Sequence, residues 1–183
     1  FDVKNPMQLV TALKKLGFTE VWEGAFGVEL VSQAYKKLIT PVSGLPLISS
    51  FCPVIVFYIQ KYLTQLVPNL APIVSPMIAI GKVARKMKGD DWKIVYITPC
   101  LAQMKEINTP EVTGIIDYAL SFDDIKQMLD EAKIELDKLE TGIEYRWGID
   151  VTHGIAHANG KLQLIRSPLG QVVAGCAGNG VVF

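Results

Sequence analysis

Between Leu38 and Gly81 the chain carries a single charged residue, Lys61, so this region must be buried in a protein core or in a membrane. The two uncharged stretches on either side of Lys61 are each long enough to cross a bilayer. Six prolines interrupt them: Pro41, Pro46, Pro53, Pro68, Pro72 and Pro76. Each proline removes a backbone N–H donor, and lipid offers no replacement for the lost bond. The pattern therefore predicts buried strands and helices of a globular domain, with no membrane span.

Composition narrows the classes of protein further. Half of the 183 residues are apolar and 20% are charged, which is typical of a folded chain and not of a disordered one. The 18 basic residues balance the 18 acidic ones without forming a basic run, so no nucleic-acid partner is expected. Three cysteines are too few, and too odd a number, for a disulfide-stapled secreted scaffold. A reduced, cytoplasmic setting is predicted, in which cysteine can bind metal.

The start of the chain lacks the pattern of a signal peptide. Phe1-Asp2-Val3-Lys4 has neither an initiating methionine nor a basic start followed by an apolar run. It is typical of a sequence that starts within a longer polypeptide, so we expect a further segment upstream.

Apolar spacing predicts helices and strands in alternation. Helices are predicted over 6–16, 28–38, 53–63, 76–87 and 121–139, and strands over 18–22, 45–48, 92–97, 112–120, 162–165 and 172–174. Ser121 is expected to cap the last helix, and Tyr58 and Tyr62 are expected in the core. This alternation predicts an α/β fold of two small lobes, each a mostly parallel sheet flanked by helices. The predicted boundary lies at residue 90, giving lobes over 1–90 and 91–183.

Three cysteines carry the candidate chemistry. Cys52 lies in Phe51-Cys52-Pro53, in the first lobe, whereas Cys100 follows Thr98-Pro99 and Cys176 follows Gly175, both in the second. Proline or glycine beside a cysteine fixes the approach of the chain, or lets backbone N–H groups come close to an inorganic sulfur. Three thiolates are one short of the four that usually hold a cubane iron–sulfur cluster, and no CxxC is present. Three buried, inert cysteines remain an alternative.

The residues around the cysteines resemble the active-site domain of iron-only (FeFe) hydrogenases. Ser50-Phe51-Cys52-Pro53, a helix with Tyr58-Ile59-Gln60-Lys61-Tyr62, Pro68-Asn69-Leu70 and Ser75-Pro76-Met77 resemble the first motif of that family and the stretch after it. Thr98-Pro99-Cys100-Leu101-Ala102-Gln103 resembles the second motif. Val151-Thr152-His153-Gly154 and Ala174-Gly175-Cys176-Ala177-Gly178 resemble more distant segments, the latter the third motif.

The resemblance implies that the three loops meet between two α/β lobes, where Cys52, Cys100 and Cys176 would hold a 4Fe-4S cluster. Phe51 stands where catalytic members have a proton-relay cysteine, and Gln103 stands where they have the lysine that holds a di-iron cyanide. The third motif keeps one cysteine where two are needed. These departures imply an electron-transfer or redox-sensing domain without the di-iron unit, served by a ferredoxin-like domain or protein upstream.

Two other functions stay open at this point. An active iron-only hydrogenase, catalysing reversible dihydrogen oxidation with other residues in the missing roles, is one, so enzymatic activity is undecided. A metal-free interaction module on the same fold is the other. The fourth cluster ligand is also open. His153 and His157 lie four positions apart and would share a face if that stretch were helical.

Overall fold

The computed structural model of the protein describes residues 6–38, 47–139, 163–166, 172–175 and 181–182. The helices are α1 (Pro6–Lys15), α2 (Ala25–Leu38), α3 (Pro53–Tyr62), α4 (Pro76–Lys88), α5 (Leu101–Glu106) and α6 (Phe122–Glu131). The strands are β1 (Trp22–Glu23), β2 (Val95–Ile97), β3 (Tyr118–Leu120), β4 (Gln163–Arg166), β5 (Val172–Gly175) and β6 (Val181–Val182). Short 3₁₀ turns follow α3 and α6, at Thr64–Asn69 and Leu136–Lys138.

The larger sheet has the strand order β1-β6-β2-β3. β2 and β3 are parallel, with α5 in the crossover between them, and β6 pairs antiparallel with both β1 and β2. β4 and β5 form a separate antiparallel ribbon. The predicted α/β class is confirmed, and the helices predicted at 6–16, 28–38, 53–63 and 76–87 correspond to α1 to α4.

Several predicted strands are shorter than the apolar pattern indicates: those predicted over 18–22 and 92–97 are observed as β1 and β2. The strand predicted over 112–120 is limited to β3, because residues 109–115 turn on themselves and Gly114 has a φ of 81°. Val112 and Ile116 are nevertheless buried, so their apolar character marks burial and not a strand. The stretch predicted as a strand over 45–48 contributes one isolated parallel bridge among its described residues, between Ile48 and Leu70.

The helix predicted over 121–139 ends at Glu131. Lys133 adopts a left-handed φ of 55°, and the N–H of Ile134 donates to the carbonyl of Leu129 at 2.9 Å. This bond closes the helix end in the manner of a Schellman motif, with lysine in the place that glycine usually takes. The predicted cap at the other end is confirmed: the Ser121 hydroxyl accepts the N–H of Asp124 at 3.0 Å.

The prediction that Tyr58 and Tyr62 lie in the core is wrong. Both rings are exposed, because α3 buries only the side that carries Pro53 and Ile59.

The core of the domain lies where α2 crosses α4. Met77, Ile78 and Ile80 of α4 are fully buried. A Cβ atom built on Gly27 of α2 would lie 2.2 Å from the carbonyl oxygen of Pro76, so only glycine permits this approach of the two helices. The same core cluster continues into Ile94, Tyr96 and Ile116, beyond residue 90. The predicted boundary between two lobes at that residue stays a prediction.

A partly buried ion pair joins α4 to the sheet. The Arg85 guanidinium lies 2.6 Å from the Asp117 carboxylate, which also accepts the N–H of Ile94 at 2.8 Å. Burial raises the pKa of Asp117, but the bonds from Ile94, Arg85 and Lys93 more than offset it and hold that pKa below its usual value.

Within the described part of the chain, the helices are all too short or too polar to cross a bilayer.

Replacing Gly27 with alanine tests the helix crossing. Alanine normally stabilises a helix relative to glycine by about 1 kcal/mol. Here the added methyl group would meet the Pro76 carbonyl, so we expect Gly27→Ala to lower the free energy of unfolding by about 2 kcal/mol or more. Urea unfolding followed by circular dichroism measures this difference. Lys36→Ala, at an exposed position of the same helix, should change stability by less than about 0.5 kcal/mol. A stabilised Gly27→Ala protein would contradict the close crossing.

Candidate metal centre

Cys52 is the N-cap residue of α3. Its backbone is extended (φ −104°, ψ 116°), and Pro53 follows at the first helical position, where the missing N–H costs nothing. The Cys52 carbonyl accepts the N–H groups of Ile55 at 3.1 Å and Val56 at 3.2 Å. The side chain makes no capping bond, and the thiol is half-buried and free. The helix is therefore started by the backbone of Cys52, which leaves the sulfur available as a ligand.

Tyr35 of α2 fixes the loop that precedes Cys52. Its buried hydroxyl accepts the N–H of Ser50 at 2.8 Å and the hydroxyl of Ser49 at 3.1 Å. The Ser50 hydroxyl donates in turn to the carbonyl of Ile73. Phe51 packs against the same buried cluster as Tyr35. The loop is thus attached to the core by the hydrogen bonds of Ser49 and Ser50 and by the packing of Phe51, independently of any metal.

Cys100 is the N-cap residue of α5 and resembles Cys52 in its backbone, with φ −96° and ψ 109°. It too has a half-buried, free thiol and no side-chain capping bond. Its N–H donates to the Thr98 hydroxyl at 3.1 Å, and that hydroxyl donates to the side-chain oxygen of Gln103. Thr98 is fully buried and extends the β2–β3 pairing through its N–H, which donates to the Leu120 carbonyl at 2.9 Å.

The two cysteine-capped helices pack against each other. At this contact the ammonium of Lys105, on α5, lies 5.6 Å from the centre of the Phe57 ring on α3. The fold therefore brings the helices that begin at Cys52 and Cys100 side by side, although the cysteines are 48 positions apart in the sequence. Cys176, the third predicted ligand, and both histidines lie outside the described residues.

Two of the three predicted cysteine ligands lie among the described residues. A 4Fe-4S cluster takes four cysteine thiolates, and within the described ranges no group of three or more His, Cys, Asp and Glu residues gathers. Both sulfurs are free of disulfides and of capping bonds, which suits them as ligands. The cluster they would hold would supply reversible one-electron chemistry; the chain would supply the two sulfur ligands, on loops held by hydrogen bonds.

A half-buried acidic group at the end of the Cys100 helix was missed by sequence reasoning. The Ser75 hydroxyl, at the N-cap of α4, donates to the Glu106 carboxylate of α5 at 2.9 Å. Burial raises the pKa of Glu106 to about 7, against the smaller opposite effect of the Ser75 bond. Burial also raises the pKa of Tyr96, and the nearby Glu106 and Cys100 groups raise it further. Glu106 lies six positions after Cys100 and directly follows the exposed Lys105, so nothing in the pattern signals its partial burial.

Removing the Tyr35 hydroxyl should loosen the Cys52 loop. Tyr35→Phe leaves the buried Ser50 N–H without its acceptor, so we expect the free energy of unfolding to fall by about 1–3 kcal/mol. Alkylation of Cys52 by iodoacetamide, followed by mass spectrometry, should become faster in the variant. Tyr62→Phe removes the same atom from an exposed ring and serves as the matched control. Unchanged stability and alkylation in Tyr35→Phe would mean that the loop does not depend on this bond.

Glu106 should make stability depend on pH. A carboxyl whose pKa rises from 4.5 when unfolded to about 7 when folded binds more protons in the native state between these values. The contribution of Glu106 to the free energy of unfolding is therefore greatest below about pH 4.5. It falls by roughly 2 kcal/mol as the pH rises to about 7. Urea unfolding from pH 4.5 to 8 measures the slope, and Glu106→Gln should flatten it. Glu111→Gln, at an exposed carboxylate, should retain the wild-type slope; equal slopes in all three proteins would exclude Glu106 as the source.

Two curated proteins are similar to parts of this chain. The chain is 26% identical over 155 residues to Iron hydrogenase 1 of Clostridium pasteurianum, covering 76% of this chain and 27% of that protein. It is 24% identical over 120 residues to the cytosolic Fe-S cluster assembly factor NAR1 of Candida dubliniensis, covering 61% of this chain and 20% of that protein. The chain thus spans about a quarter of the length of these curated relatives.

A solved structure shares the fold. A variant of the FeFe-hydrogenase HydA1 from Chlamydomonas reinhardtii superposes with a TM-score of 0.62 at 23% identity, over 76% of this chain and 41% of that one. The family model described as iron only hydrogenase large subunit, C-terminal domain, matches residues 2–162. This chain therefore belongs to the family formed by the C-terminal domain of the iron-only hydrogenase large subunit.

Proposed function

We propose that this domain binds a 4Fe-4S cluster through Cys52 and Cys100 and uses it for electron transfer or redox sensing. The observation that carries the proposal is the pair of free thiols at the N-cap positions of two helices that pack together. Each thiol follows a loop held by buried hydroxyl groups, those of Tyr35 and Thr98. The remaining ligands can come from within the chain, with Cys176 as the predicted third, or from outside it.

Two substitutions favour a cluster without the di-iron unit. Phe51 occupies the position of the proton-relay cysteine in the hydrogenase motif, and its ring packs into an apolar cluster and carries no exchangeable proton. Gln103 occupies the position of the cyanide-binding lysine; it is neutral, and its oxygen already accepts the Thr98 hydroxyl. The proposal also includes a redox partner and a location. Electrons would be exchanged with a ferredoxin-like iron–sulfur protein or domain, in the cytoplasm.

A role in iron–sulfur cluster assembly is a second candidate, favoured by the match to the assembly factor NAR1. The two roles differ in what happens to the cluster. An electron carrier keeps its iron through repeated reduction and oxidation, whereas an assembly factor that passes on a cluster loses iron and sulfide to an apo acceptor protein. Iron content after redox cycling, and after incubation with an apo-ferredoxin, separates them.

Serine substitution of the two cysteines tests the proposal. Anaerobic reconstitution of the whole chain should yield iron and acid-labile sulfide, with a cubane signal in electron paramagnetic resonance after reduction. Cys52→Ser and Cys100→Ser should each lose most of the iron, because a serine hydroxyl is a poor ligand for it. Met87→Ser, at an exposed position of α4, is the control and should retain it.

The same preparation distinguishes the alternatives. Carbonyl and cyanide bands in the infrared spectrum would support an active iron-only hydrogenase instead of a cluster-only domain. Iron binding that is unaffected by either serine substitution, or no iron at all after careful anaerobic work, would overturn the proposal, and the latter would leave a metal-free interaction module.

A further inference from the structure

We propose that a groove beside α6 is a docking site for a basic amphipathic helix of a partner protein. The groove lies between α6 and the chain that follows it, residues 134–137, and we call it the α6 groove. Its volume is about 570 Å³, within the range of roughly 300–1,000 Å³ found for clefts that hold ligands. None of the residues that line it belongs to the cysteine loops, so this site is distinct from the candidate metal centre.

The two walls of the α6 groove are joined through the hydrophobic core. The left-handed backbone of Lys133 ends α6, and the N–H of Ile134 donates back to the carbonyl of Leu129 at 2.9 Å. Ile134 and Leu136 of the second wall pack in the same apolar cluster as Leu129 of the first. The groove is therefore formed when the domain folds, and a partner that binds there would not have to order it.

The α6 groove has an apolar floor and an acidic rim. Its apolar lining residues are buried or half-buried: Phe122, Leu129, Ile134 and Leu136. Its acidic lining residues are exposed: Asp123, Asp130, Glu135 and Asp137, with Lys126 as the basic residue of the described lining. An amphipathic helix that carries apolar side chains on one side and Lys or Arg beside them complements both features.

Most of the carboxylates that line the groove have no cation to neutralise them. Residues 121–139 hold six acidic and three basic side chains, a net charge of −3 in a chain that is neutral overall. Glu135 pairs with Lys138 at 2.6 Å. Among the described residues, no ammonium or guanidinium group pairs with Asp123, Asp130 or Asp137. This unbalanced charge would attract a basic partner and repel an acidic one.

The C-terminus of α6 gives a second reason to expect a cationic partner. The carbonyl groups at a helix C-terminus carry a partial negative charge, which disfavours carboxylates there. The helices α1 to α5 each have Lys or Arg in the last turn, whereas α6 has none and ends in Asp130-Glu131. The ammonium groups of a bound helix would supply the cations that this last turn lacks.

Binding of a labelled peptide to the whole chain tests the docking site. The probe is a helical peptide of about 14 residues made of Leu, Lys and Ala, with its leucines on one side and fluorescein at one end. Its control has the same composition, with the leucines spread around the helix. Fluorescence anisotropy should show about tenfold tighter binding of the probe, weakened by added salt. Equal binding of the two peptides, which is a general attraction to an acidic surface, would overturn the proposal, and so would no binding, as when the chain's own residues fill the groove.

Two double variants locate the binding in the α6 groove. Asp130→Asn with Asp137→Asn removes two unpaired carboxylates of the rim and should weaken binding of the probe by about tenfold, because their attraction to its lysines is lost. Asp90→Asn with Asp91→Asn removes two exposed carboxylates outside the groove and should leave binding unchanged. Circular dichroism checks that both proteins fold. Equal affinities of the two double variants for the probe would overturn the proposed site.

Discussion

The contact between Gly27 of α2 and the Pro76 carbonyl of α4 is the constraint on which the rest of the structure depends. It lets the two helices approach closely enough for α2 to present Tyr35 to the Cys52 loop. The same contact lies beside Ser75, which caps α4 and holds Glu106 of the Cys100 helix. Both cysteine loops therefore depend on one helix pair, and a change in the crossing would move both of them.

The hydrogen bonds around the two loops explain how a metal site can be formed in advance of its metal. The backbones of Cys52 and Cys100 start their helices, and neighbouring hydroxyl groups pair with the loop N–H groups. The sulfurs take no part in these bonds, so ligand binding would not have to break any of them. The loops lose their conformational entropy when the protein folds, and burial and hydrogen bonding offset that loss. Cluster binding would then not have to offset it, so the affinity for the cluster would be higher.

Local signals in the sequence predicted most of the helices and strands, whereas contacts between distant residues could not be predicted from it. Pro53, Pro76 and Ser121 mark helix starts through rules that involve a few neighbouring residues, and the helices begin there. The left-handed Lys133 ends α6 at a residue that carries no glycine signal. The bonds from Ser50 to Tyr35 and from Ser75 to Glu106 join residues 15 and 31 positions apart, so they follow from the tertiary fold and no spacing rule reveals them. The resemblance of the motifs identified the two cysteines, but only the structure shows what holds their loops.

Two of the three departures from the hydrogenase motifs, Phe51 and Gln103, contact this supporting structure. Phe51 adds apolar packing to the cluster around Tyr35, in the loop that leads into Cys52. Gln103 accepts the hydroxyl of Thr98, the residue that also receives the Cys100 N–H. A cysteine and a lysine at these positions would offer a proton carrier and a charge, and neither group would be needed if the site no longer held a di-iron unit. In their place, a phenyl ring and an amide connect the two cysteine loops to their surroundings by packing and by a hydrogen bond. A domain that retained only electron chemistry would gain from this exchange, because a rigid site needs little rearrangement when the charge of its cluster changes.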